Sequence, residues 1–78
     1  MATRITVDKD FGADSWWEEA REAENRPPQL DPLINADEQE VVVEDDEVAT
    51  IKKWCESISG WNEGTEYAPH PLLFNPAD

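Results

Sequence analysis

Residues 37–60, DEQEVVVEDDEVATIKKWCESISG, constrain the fold most tightly, because two incompatible periodicities follow one another there. Glu40 to Val43 is a β-branched run suited to a strand. Val48, Ile51, Trp54, Cys55 and Ile58 then recur at intervals of three and four, the pattern of one apolar helix face. Between them stand Glu44, Asp45, Asp46 and Glu47, carboxylates favoured at a helix N-terminus by the helix dipole. The stretch therefore predicts strand, then helix, with the acids at the junction. A competing arrangement makes Glu44–Glu47 a hairpin turn and Val48–Ile51 a returning strand.

A β-branched run needs a partner, and Thr3 to Val7 supplies one. Thr3, Ile5 and Val7 alternate with Arg4 and Thr6, as in a half-buried strand. Asp8 to Asp14, followed by Glu19, loosely resembles a calcium loop. Gly12 falls out of place there and removes a ligand, so a helix cap at Asp14 or Ser15 is the preferred reading and no metal is expected. Ser15 and Glu18 have capping-box spacing. The predicted helix runs from Trp16 to about Asn25, with Trp16, Ala20 and Ala23 on one face. Glu18–Arg21 and Glu22–Arg26 are spaced for ion pairs.

Adjacent helical residues diverge by about 100°. Trp16 therefore points to the core and Trp17 to a flank, there to anchor a partner or to be covered by the C-terminal segment. Pro27-Pro28 ends the helix. Asp31-Pro32 is suited to open a single helical turn carrying Leu33 and Ile34. Gly60 is placed to terminate the central helix at its C′ position, with Trp61 folding back on Cys55.

Residues 61–78 hold three of the six prolines and are expected to be irregular. Leu72, Leu73 and Phe74 call for docking on the core, since each is worth about 1.5–3 kcal/mol on full burial. Their alternative use is contact with a partner. The expected fold is α+β: one small domain over 1–78, two short strands, two helices and an irregular docked C-terminal tail.

Several chemistries lack their residues. The single Cys55 precludes an internal disulfide and fits a reducing compartment. With no apolar leader and no membrane-length stretch, the expected setting is cytoplasmic. One histidine and one cysteine fall short of a zinc site. A triad of Ser15, His70 and an aspartate lacks a glycine-flanked nucleophile, and no phosphate-cradling glycine loop occurs. The expectation is a non-enzyme without cofactor.

The acidity is the remaining signal. Nineteen acids against six bases give a net charge of −13. Seven of the eleven residues from 37 to 47 are acidic and none is basic. Direct nucleic-acid binding is disfavoured, because that association runs on Lys and Arg displacing counterions. The fitting partner is a basic protein or nucleoprotein complex. Asp37, Glu38, Glu40, Glu44, Asp45, Asp46 and Glu47 are the candidate charged face, with Trp17 as an anchor.

In size, in charge, and in the runs Asp37-Glu38-Gln39-Glu40 and Glu44-Asp45-Asp46-Glu47, the chain resembles the small acidic proteins that phages make against host nucleic-acid machinery. These include DNA mimics, anti-restriction proteins and some anti-CRISPR proteins. The resemblance is one of type and assigns no residue a role; it implies stoichiometric inhibition without turnover. Two other readings stand beside it. One is a small phage structural or assembly component that inserts Leu72–Phe74 into a larger particle. The other is a halophilic protein whose few lysines and many carboxylates serve solubility alone.

Overall fold

A computed structural model describes residues 1–12, 14–36 and 38–77. The chain runs β1 (Ala2–Val7), α1 (Ser15–Glu22), a 3₁₀ turn (Pro28–Leu30), α2 (Asp31–Asn35), β2 (Glu40–Glu44), α3 (Asp45–Ser57) and β3 (Leu72–Pro76). The three strands form one antiparallel sheet in the order β2-β1-β3. The α+β class and the pairing of the first strand with the Val41–Val43 run agree with the sequence.

The sheet has one covered and one open face, and register decides which residues meet each. Ile5 stands between Val41 and Phe74, and Val7 beside Leu72. These side chains, with Val43, face the helices. Arg4 stands between Val42 and Asn75, and Thr6 between Glu40 and Leu73. That second set forms the open face, where Val42 and Leu73 remain exposed.

The tail differs from expectation. Residues 61–78 are not irregular throughout, because Leu72–Pro76 form β3. Alternation explains the gain: Leu72 is buried and Phe74 half-buried on the covered face, while Leu73 and Asn75 face outward. Two expected strands become three, and the tail belongs to the sheet.

Trp16 is fully buried at the centre of the core. It meets Trp17 edge-on at 4.9 Å, Trp54 at 6.2 Å and Trp61 at 5.7 Å between ring centroids. Buried tryptophans need a partner for the indole N–H. Trp16 Nε1 donates to Cys55 O at 3.1 Å, and Trp54 Nε1 to Asn25 Oδ1 at 3.1 Å.

The helix ends depart from the sequence reading in three places. At α1 the N-cap is Asp14, without a side-chain cap bond, and Ser15 lies inside the helix. The Ser15 hydroxyl donates instead to Glu63 Oε2 at 3.2 Å, so the Ser15–Glu18 capping box does not form. The same helix stops at Glu22 rather than near Asn25. Arg26 folds back to donate to the carbonyls of Ala20 and Arg21 at 3.2 and 3.1 Å, and its Nε binds Asp31 at 2.6 Å rather than Glu22. The guanidinium thus does the work of another helical turn at the orphaned carbonyls. Finally, α3 ends at Ser57 with Ile58 as its C-cap, so Gly60 is not C′.

Gly60 has φ +95°, and a Cβ there would lie 2.6 Å from Ser15 Oγ and 2.8 Å from Trp16 N. Its role is to let the turn after α3 pass against the start of α1. Trp61 next to it packs on Trp16.

A candidate acidic interface along β2

The junction predicted between strand and helix is present, and α3 follows β2 without a gap. The hairpin alternative for Glu44–Glu47 is thereby replaced. Glu44 is the N-cap of α3, and its side chain accepts from the backbone N–H of Glu47. Glu47 reaches back with Oε2 to Glu44 N–H at 3.1 Å, completing a capping box made of two glutamates. Glu47 Oε1 also accepts from Gln29 Nε2 at 2.8 Å, and Asp45 Oδ1 from the Thr3 hydroxyl at 2.7 Å. Several of the acids singled out by sequence therefore hold the fold as well as carry charge.

Glu40 is partly engaged. Its Oε2 lies 3.3 Å from Arg4 Nε across the open face, an exposed pair worth little in stability. Glu38 bonds through its backbone N–H to Pro32 O at 3.0 Å. The side chains of Glu38 and Asp46 form no hydrogen bond or ion pair among the described residues, and both are exposed. Asp37 lies outside the described residues.

Sequence distance becomes spatial order here. Glu38 sits before β2, Glu40 and Glu44 at its ends on the open face, and Asp45–Glu47 on the first turn of α3. At about 3.3 Å per residue, the strand from Glu40 to Glu44 spans roughly 13 Å. Trp17 is half-buried and lines a depression of about 210 Å³ with Val7, Arg21, Leu33, Glu38 and Gln39. The fold thus brings Trp17 to the Glu38 end of the acidic strip, on the flank that helical geometry required.

Sequence reasoning missed two parts of this surface. Arg4 is the base set among the acids, and Val42 stands 57% exposed between Glu40 and Glu44. The alternation of Thr3–Val7 already carried the first signal, since it put Arg4 on the polar side. The second needed the pairing register.

The other chemical groups are dispersed. His70 Nδ1 lies 3.1 Å from Trp61 O and its ring stacks on Trp61 at 4.8 Å, whereas Ser15 turns to Glu63. Burial pushes the Cys55 thiol up to about 12, the backbone hydrogen bond at Cys55 opposing and Glu56 adding slightly. Among the described residues no group of three His, Cys, Asp or Glu side chains is placed to hold a metal ion. No helix among them is long and apolar enough to cross a membrane.

Fold and surface together define a small three-stranded α+β domain with an acidic sheet edge. No family model, curated protein or solved structure matches the chain.

Proposed function

We propose that this is a non-enzymatic acidic protein that binds and blocks a basic, nucleic-acid-binding surface of a host protein or complex, in the manner of an anti-CRISPR or DNA-mimic inhibitor. The observation that carries the reading is the run of exposed carboxylates from Glu38 beside Trp17, through Glu40 and Glu44 at the ends of β2, to Asp46 on α3, broken by Val42 and by the Arg4 paired with Glu40. Duplex DNA presents about one negative charge per 1.7 Å of axis, and a groove built for phosphates attracts such a strip. Long-range attraction accelerates encounter, and aromatic contact near Trp17 lengthens the complex's life. Neither cofactor nor turnover enters this mechanism.

The test is capture of partners from a bacterial lysate on tagged protein, with washes at low and moderate salt. A stoichiometric nucleic-acid-binding protein, released as salt rises and displaced by its own nucleic acid, is the expected result. Retention of no such protein at low salt counts against the reading. The assembly alternative is weakened by the use of Leu72 and Phe74 in the protein's own sheet.

A further inference from the structure

The two outer strands differ in what they leave open. Val7 N donates to Gln39 O, and Asp45 N to Met1 O, at 3.1 and 3.3 Å. The same register makes Val41 and Val43 the residues of β2 that exchange hydrogen bonds with β1. Glu40, Val42 and Glu44 therefore direct their main-chain groups away from the sheet. Glu47 satisfies the Glu44 N–H, which leaves the N–H and C=O groups of Glu40 and Val42 along the outer edge. On β3, Asp8 N–Pro71 O and Ala77 N–Ala2 O fix the opposite parity, and Leu72, Phe74 and Pro76 face outward. Pro76 has no N–H, a device that blunts an edge, and β2 has no proline.

We propose that β2 accepts an extended basic segment of the partner as a fourth strand. The main chain at Glu40 and Val42 supplies the hydrogen bonds, and Glu40 and Glu44 meet Lys or Arg side chains on the open face. Strand addition of this kind draws affinity from the main chain and selectivity from alternate side chains. Charge selects the occupant. A second copy paired antiparallel about Val42 would set Glu40 opposite Glu44 twice, between chains that each carry −13. A segment with Lys or Arg at every second position sets cations opposite Glu40 and Glu44 on the open face, and the aliphatic stem of the one between them lies over Val42. The proposal rests on the reading that the acidic strip meets a basic protein surface.

The probe is the peptide Lys-Val-Lys-Val-Lys-Val-Lys, with an analogue N-methylated on all its central amides. Three results are expected: salt-sensitive binding of the peptide, at least tenfold weaker binding of the analogue, and at least tenfold slower amide exchange at Glu40 and Val42 in the complex. Val42→Pro removes an outward N–H that the β1 ladder does not use, and should weaken binding to the same extent. If that variant fails to fold, the analogue and the exchange rates on the unaltered protein still decide. Equal binding of peptide and analogue, with unchanged exchange at Val42, overturns strand addition and leaves the acidic reading standing. No binding at low salt overturns both. Protection of the Val42 amide by self-association without peptide overturns the proposal in favour of a second copy.

Discussion

Trp16 Nε1 donates a hydrogen bond to Cys55 O at 3.1 Å, and this bond ties α1 to the last turn of α3 across the centre of the core. The same carbonyl accepts from Ile58 N at 3.2 Å as α3 ends. One indole thus fills the middle of the aromatic cluster and helps close a helix C-terminus. Its neighbour Trp17 is half-buried at the rim.

The two tryptophans should respond differently to the same substitution. Trp16→Phe removes ring volume and the buried donor together, and is expected to cost about 2–3 kcal/mol. Trp17→Phe should cost less, about 1 kcal/mol, because the ring sits partly exposed at the rim of the core rather than fully buried at its centre. Urea unfolding of both variants checks this. Equal losses would show that Trp16 is not the centre of the core.

Gly60 answers to a backbone requirement. Gly60→Ala would place a methyl against Ser15 and Trp16 N at a positive φ. The left-handed conformation alone costs a non-glycine residue about 1–2 kcal/mol, and the close approach adds to it. A thermal melt of Gly60→Ala well below that of the unaltered protein is expected, and an unchanged melt would refute the role given to this turn.

The Cys55 thiol gives stability a pH dependence of known sign. Its ordinary value of 9.0 is pushed to about 12 in the fold, mainly by burial. Above pH 9 the unfolded chain loses the thiol proton while the folded chain keeps it. The unfolded state then binds fewer protons, and stability falls as pH rises from about 9 towards 12, by up to about 1.4 kcal/mol per unit. Urea midpoints at pH 8 and 10.5, compared with Cys55→Ala, isolate this contribution. A fall of the same size in both proteins would assign it to other groups.

How much of this was legible depended on whether the determinant was local. The α3 face, the β1–β2 pairing, the Asp31-Pro32 turn and the divergence of Trp16 from Trp17 are set by periodicity and neighbouring residues. β3 was not legible as a strand, because Pro71 precedes it, Pro76 is its last residue, and its alternation spans only five residues. The early end of α1 follows from Arg26 reaching back to two carbonyls, a choice visible only with the turn folded. At the acidic strip, sequence supplied charge and rough position. It did not separate the acids that brace the fold from those left free, since hydrogen bonds to Thr3 and Gln29 join residues far apart in the chain.

That separation yields the sharpest test of the interface. Reversing Asp45, Asp46 and Glu47 together confounds binding with folding, because Glu47 closes the α3 capping box and Asp45 accepts from Thr3. Glu47→Lys alone should cost about 1–2 kcal/mol through loss of the cap. Glu38→Lys with Asp46→Lys alters two exposed side chains without internal bonds among the described residues; because Asp46 lies on the first turn of α3, the pair should cost about 0.5–1 kcal/mol of helix-dipole stabilisation and leave the protein folded. The pair changes the strip by four units of charge, since each reversal contributes two. Binding to a basic partner should fall at least tenfold at low salt and less at high salt, where charges are screened beyond about 8–10 Å. Capture of the partner by this double variant at undiminished affinity, with the fold intact, would remove the acidic strip from the interface.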